Sequence, residues 1–318
     1  MPIKGPDEFG TQYQYVQVSG SSLEDCCILG YRSVAEEPFS VFDQESWTIW
    51  SDGESESFHF LVGSTDFFPG IWRALDGPLY VADQRNSVLR RCAKLEDGQS
   101  AKGWEKLKLD LHPVGVWGLP EGPLFVWGWE DEKMQLRSFD GRKWRKLPAP
   151  DSIARLQGTA PDQLWAAGAD GLLARFDGRG WTEQSVDTEE NFTGLAVVSK
   201  DEIWATTEGG ELFEGSADGW ARRARSPKKG QPLLDVASWK GSIWVAGSEA
   251  GLLRLAGKKN RLEVVKPNLD ASALDSRKDL LIACPGVVAG TSDGKKFEAV
   301  GDETFLEERG SERPMWES

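Results

Sequence analysis

Histidine is nearly absent from this chain: His59 and His112 are the two in 318 residues. That excludes a multi-histidine metal centre and leaves nucleophilic schemes built on a histidine base with little support. Tyrosine is scarce as well, and none of the four (Tyr13, Tyr15, Tyr31, Tyr80) falls in a pattern that marks a nucleophile. The four cysteines, Cys26, Cys27, Cys92 and Cys284, lack metal-ligand spacing. Three of them fall in apolar strand segments, where a reduced, buried thiol is expected. No apolar run approaches the roughly 18 residues of a membrane span. The opening stretch, Met1–Gly20, has neither the basic start nor the apolar core of a secretory signal. No glycine-rich phosphate loop precedes a helix. These absences lead to the expectation of a cytoplasmic, non-enzymatic protein with no cofactor and no metal, and without a membrane partner.

What the chain does have is tryptophan (15) and glycine (35), arranged in a repeat. Three clear copies read Ala160-Pro161-Asp162-Gln163-Leu164-Trp165, Ser199-Lys200-Asp201-Glu202-Ile203-Trp204 and Trp239-Lys240-Gly241-Ser242-Ile243-Trp244. Each is a turn followed by a short apolar strand with an aromatic at one fixed place. Ile28, Tyr80, Phe125 and Ile282 occupy that place in looser copies, giving spacings of 52, 45, 40, 39, 40 and 38. A period near forty with several short strands per unit is that of a β-propeller, and seven anchors predict seven four-stranded antiparallel blades in a single all-β domain. The expected blades are about 11–55, 56–110, 111–150, 151–187, 188–226, 227–266 and 267–301, with a polar extension over 302–318. Extended loops are expected at 51–64 and 93–103, and Thr304-Phe305-Leu306 could supply a closing strand, since either terminus can complete the terminal blades.

Within a unit the third and fourth strands are joined by Asp-Gly turns followed by an aromatic: Asp140-Gly141-Arg142-Lys143-Trp144, Asp177-Gly178-Arg179-Gly180-Trp181 and Asp293-Gly294-Lys295-Lys296-Phe297. A weaker form, Asp43-Gln44-Glu45-Ser46-Trp47, places a first blade before residue 55 and Trp47 at the start of its fourth strand. With Ser138 and Thr291 ahead of them, two of these turns resemble the Asp-box repeats of sialidase-like and photosystem-assembly-like propellers, each one residue short of that pattern. The resemblance implies the fold and a structural role for the turns. It carries over no catalytic residue.

The net charge is −14 and unevenly spread. Residues 1–60 hold 11 acids against two bases and residues 301–318 hold six against two. A field of this sign disfavours nucleic acid and attracts basic proteins. In a four-stranded blade the loops after strands two and four share one end. There the sequence places Glu36, Glu37, Asp83, Glu130, Asp131, Glu132, Asp170, Glu208 and Glu249, with Arg85, Lys133, Lys228 and Lys229 as the few bases. The opposite end is mixed, with Lys102, Arg142, Lys143, Arg179, Lys258, Lys259, Lys295 and Lys296 among its bases.

Most tryptophans sit at repeat positions and serve blade packing. Trp129 differs because it directly precedes Glu130-Asp131-Glu132, the setting of an interface hot spot for a basic partner, and Trp316 is a second candidate. The run Arg222-Arg223-Ala224-Arg225-Ser226-Pro227-Lys228-Lys229 reads as a solvated blade edge that balances nearby acids. The expected partner-binding set is Glu36, Glu37, Trp129, Glu130, Asp131, Glu132, Glu208 and Glu249. The expected function is capture of a basic protein, in its sharpest form an immunity or inhibitor protein neutralising a toxin domain. A general scaffold or assembly factor is one alternative. The other is a calcium-dependent hydrolase or lyase, with Asn191, Asp235, Asn268 and Asp270 near the inner strands as its metal candidates.

Overall fold

The computed structural model describes residues 11–34, 43–51, 58–64, 67–257 and 260–301. They form seven antiparallel sheets of four consecutive strands each, the all-β, seven-bladed propeller arrangement expected from the repeat. Blade 1 holds β1 (Thr11–Ser22), β2 (Asp25–Val34), β3 (Asp43–Ser51) and β4 (Phe58–Ser64). Blade 2 holds β5 (Gly70–Arg73), β6 (Leu79–Asp83), β7 (Val88–Cys92) and β8 (Trp104–Lys108). Blade 3 holds β9 (His112–Gly118), β10 (Leu124–Glu130), β11 (Lys133–Phe139) and β12 (Trp144–Leu147). Blade 4 holds β13 (Arg155–Ala160), β14 (Gln163–Ala167), β15 (Leu173–Phe176) and β16 (Trp181–Glu183). Blade 5 holds β17 (Phe192–Ser199), β18 (Glu202–Thr207), β19 (Glu211–Ser216) and β20 (Gly219–Arg225). Blade 6 holds β21 (Asp235–Trp239), β22 (Ser242–Ala246), β23 (Leu252–Leu255) and β24 (Leu262–Lys266), and blade 7 holds β25 (Ala273–Ser276), β26 (Leu280–Cys284), β27 (Val287–Thr291) and β28 (Glu298–Val300).

All seven anchors fall on the second strand of their blades, and all are buried. A second strand has a sheet neighbour on each edge and apolar packing on each face. It therefore reads as an unbroken apolar run rather than an alternating one. Every position of β6 and of β26 is buried, whereas β12 and β16 have no buried position. Tryptophan fills the wide space between adjacent sheets: Trp165 of blade 4 meets Trp220 of blade 5 edge-on at 5.7 Å. Arg254, directly opposite Trp244 in the ladder, lays its guanidinium over that indole at 5.5 Å.

The Asp-Gly turns share one geometry. Oδ1 of Asp140 accepts the N–H groups of Arg142 and Lys143 at 3.0 and 2.9 Å. Asp177 does the same for Arg179 and Gly180, and Asp293 for Lys295 and Lys296. These N–H donors hold all three carboxyls below the usual aspartate range. Gly141, Gly178 and Gly294 take φ of 92°, 89° and 73°, a region open to glycine at little cost.

The chain parts into two compact units, Met1–Leu109 with Asp275–Ser318, and Asp110–Leu274. In the first, β1 packs against both β26 and β5, so the first blade stands between the last and the second. Blades 1 and 7 are each built from four consecutive strands, and neither lends a strand to the other. Within each unit, polar side chains of first strands reach the backbone of the next blade. Gln17 takes both groups of Ile71, accepting its N–H at 2.9 Å and donating to its carbonyl at 3.0 Å, and Asp275 accepts the N–H of Gly20 at 3.0 Å. In the second unit Gln157 accepts from Val197 at 3.2 Å, Asp235 accepts from Leu274 at 2.9 Å, and Thr193 donates to Leu233. First strands of adjacent blades diverge and cannot form a ladder, so these side chains satisfy backbone groups that would otherwise be orphaned.

Two sequence expectations are corrected at the level of strands. Trp47 lies in the third strand of blade 1, with its backbone opposite Gly30 and Gly63, and does not open a fourth strand. The fourth strand is β4, inside the segment expected to be an extended loop. The Asp43 segment lacks the Asp-Gly step that reverses the chain, so it runs straight along β2 from Val34 to Cys26. The other expected insertion, 93–103, holds two short 3-10 turns, Leu95–Gln99 and Ala101–Gly103, pinned by a 2.8 Å hydrogen bond from Trp104 Nε1 to the Gly98 carbonyl. Thr304, Phe305 and Leu306 lie outside the described residues. All four cysteines are buried, and none is in a disulfide.

Candidate functional site

In a four-strand meander the turns after the second and fourth strands emerge at the same end of the sheet. In the second unit those turns from blades 3 to 6 hold most of the acids singled out above. The blade 3 turn is the tightest. Glu130 and Lys133 close the β10–β11 hairpin, and Asp131 and Glu132 form its two-residue loop at φ of 48° and 62°. Two consecutive non-glycine residues with positive φ are uncommon, and this conformation matches the twist of the strands it joins. Trp129 precedes the turn, paired across the sheet with His112 on one side and Met134 on the other. It is 39% exposed, the one large aromatic among the exposed hydrophobic side chains of the described residues. Glu130 stands 3.5 Å from Nη2 of Arg137, a buried guanidinium that Asp110 already grips with both oxygens at 2.9 and 2.7 Å. That grip holds the Asp110 carboxyl below its ordinary range.

Blades 4 to 6 form a knitted rim beside it. Asn191 is the tie: its Oδ1 accepts the N–H of Asp170 at 3.0 Å and its Nδ2 donates to Glu208 at 2.9 Å. Gly171 donates to the Glu190 carbonyl at 3.1 Å, Glu208 N–H to the Asn191 carbonyl at 3.0 Å, and Ser226 N–H to the Gly210 carbonyl at 2.7 Å. Glu249, at the next turn, pairs with Lys228 at 2.7 Å, and that ammonium lowers its carboxyl pKa. The structure therefore joins the Asp170 backbone and the Glu208 carboxylate through one asparagine, ties Glu190 by its carbonyl to Gly171, and leaves Glu249 locally neutralised. Trp129, Glu130, Asp131 and Glu132 make up a separate hairpin tip. Glu36, Glu37 and Trp316 lie outside the described residues.

Asp83, counted by sequence among the acids of this end, is fully buried. It takes Nε and Nη2 of Arg90 at 2.8 and 2.6 Å and two donors from Asn86 at 3.1 Å, and it presents no charge to a partner. The basic run of blade 5 is balanced from within: Arg222 and Arg225 converge on Glu211 at 2.9 Å, and Arg223 pairs with Glu214 at 2.5 Å. Of the metal candidates, Asp235 is committed to the N–H groups of Val236 and Leu274 and Asn191 to the rim. Among the described residues no group of three or more His, Cys, Asp or Glu is placed to hold a metal ion. Of the two residues that organise these acids, sequence reasoning missed Arg137 and singled out Asn191 only as a metal candidate. The available signal was slight: an asparagine between the acid pair Glu189-Glu190 and a strand, and an arginine between Leu136 and Ser138 in a third strand of mixed polarity.

No protein-family model matches the chain, and no curated protein matches it. Solved structures match in fold. YCF48 bound to D1 peptide aligns at a TM-score of 0.62 with 13% identity over 95% of this chain and 97% of that one. The WD40 β-propeller domain of Doa1 aligns at 0.66 with 11% identity over 89% and 92%. PorZ of Porphyromonas gingivalis, a bacterial surface component of the type-IX secretion system, aligns at 0.55 with 14% identity over 74% of this chain, which spans 33% of PorZ. At these identities the likeness shows the propeller fold alone.

Proposed function

We propose that this propeller is a non-enzymatic, cytoplasmic binding module that captures a basic protein on the loop end of blades 3 to 6. The observation that carries the reading is the pairing of an exposed indole, Trp129, with a rigid turn that displays Asp131 and Glu132 beside it. An indole supplies a large contact area, and flanking carboxylates select arginine or lysine on the partner. The Asn191-tied rim adds Asp170, held at its backbone, and Glu208, held at its carboxylate, so less side-chain entropy is lost at Glu208 on binding. A fold neighbour seen with a bound peptide supports protein recognition in general.

The sharper form of the proposal is an immunity or inhibitor protein. Toxin domains that act on nucleic acid are basic because they bind phosphates, and an acidic surface can occlude them by imitating that charge, with association accelerated by steering. The test is co-expression. A captured basic partner that arrests growth alone, and is silenced by wild type but not by a variant carrying Asp131→Lys and Glu132→Lys, supports the inhibitor. A captured partner without toxicity supports a scaffold and rejects the inhibitor.

A further inference from the structure

The outer edge of blade 3 presents a different charge from the loop end of the same unit. Strand β12 is the last of its sheet, hydrogen-bonded to β11 on one side and, among the described residues, to no strand on the other. It is held firmly. The Asp140 turn fixes its entry, Asp140 N–H donating to the Lys143 carbonyl at 3.3 Å, and Trp144 packs on Phe139 with ring centres 4.7 Å apart. Around this edge stand Arg142, Lys143, Arg145 and Lys146, all exposed. Their compensation is slight. Arg145 has Asp140 at 3.7 Å, with both side chains open to solvent. Lys146 feels Asp110, whose two oxygens are already taken by Arg137. The other outer strands with arginines in this unit differ, since those of β20 are tied to Glu211 and Glu214, and Arg261, beside β24, is tied to Glu263 at 2.7 Å.

We propose that β12 is a docking edge for an acidic peptide segment in extended conformation, which adds to blade 3 as a fifth strand. An unpaired edge offers N–H and C=O groups ready to bond another chain, and a charge or two would suffice to blunt it. Four bases against Asp140 and an Asp110 already held by Arg137 exceed that need and select what may add. Neighbouring positions of a strand project to opposite faces of the sheet, so Arg145 and Lys146 lie on different faces. A residue of an added strand shares the face of the residue opposite it, so two consecutive carboxylates would meet one base on each face. A bilayer or a nucleic-acid duplex brings its charge from one side only and makes no strand hydrogen bonds. This surface is independent of the loop end, and the two together would let one propeller bridge a basic and an acidic partner.

The test uses the full chain and a short fluorescein-labelled peptide of glutamate pairs separated by valine, read by fluorescence anisotropy at physiological salt. The expected result is saturable binding, about tenfold weaker for Arg145→Glu with Lys146→Glu, since two exposed pairs are reversed. Binding should also be lost when alternate peptide residues are replaced by proline, and amide exchange across Trp144–Leu147 should slow on binding. Equal binding of the proline peptide would overturn strand addition by showing attraction of charge alone. So would indifference to the double reversal in a variant with unchanged circular dichroism, an absence of any binding, or tighter binding of duplex DNA or phosphatidylserine vesicles.

Discussion

Asp83 and Arg90 show how far a single residue's neighbours decide its meaning. By sequence Asp83 is one more acid at the end of a strand. In the fold it is wholly buried beside an arginine 2% exposed, itself stacked on Phe68 at 5.6 Å. Removing one member of such a pair strands the other charge in the core, so Asp83→Ala should cost about 3–5 kcal/mol in chemical denaturation, with much of it regained when Arg90→Met is added. A loss below about 1 kcal/mol would mean the pair is solvated. The cysteines are expected to be silent for the same reason. Burial pushes the Cys27 thiol up to about 12 and Cys92 to about 11, and Cys26 is raised further by burial and by its neighbour Cys27. Adjacent strand residues face opposite ways, so Cys26 and Cys27 cannot pair with each other. A thiol reagent near neutral pH should label none of the four cysteines until denaturant is added.

At the scale of the element, turns were the most legible feature and strand edges the least. The Asp-Gly-aromatic pattern names its own hydrogen bonds, and three copies form them. The carboxyls of Asp140, Asp177 and Asp293 are depressed in the fold, so their contribution is full above the unfolded aspartate value of about 3.9 and is lost as pH falls through the lower folded values. Melting followed from about pH 6 to about pH 2 should fall less steeply when all three are changed to asparagine, which keeps the acceptor without the titration. The β10–β11 turn breaks the pattern. Asp131→Asn with Glu132→Gly should stabilise by about 1 kcal/mol, because asparagine and glycine take positive φ more easily. The inter-blade ties through Gln17, Gln157, Thr193, Asp235 and Asp275 were not legible. A lone polar residue in a first strand looks the same in sequence whether it faces solvent or another backbone. Blade 1 was misread at β4 for a related reason, since Asp43-Gln44-Glu45-Ser46-Trp47 has the composition of a turn without its glycine.

For the whole molecule, period carried the fold. A residue every forty or so positions that must fill the gap between sheets shows plainly in sequence, and all seven anchors are buried at equivalent sites. Trp244→Ala should therefore cost about 3–5 kcal/mol, while Trp129→Ala should cost well under half as much and act on binding instead. The candidate site was half legible. Its acids could be listed, but which of them are spent on Arg90, Arg137 or Lys228 depends on side chains from other strands. Trp129 stood out in sequence by position, and the fold leaves it exposed beside Asp131 and Glu132.

The most direct measurement is a paired capture from extract of the source organism at low salt. Tagged wild type is run beside a variant carrying Asp131→Lys, Glu132→Lys and Glu208→Lys, and each is then washed at about 0.5 M salt, where the Debye length is about 4 Å. The account predicts one stoichiometric basic protein on the wild type, weakened by salt and absent from the variant. The same protein held equally by both would contradict it.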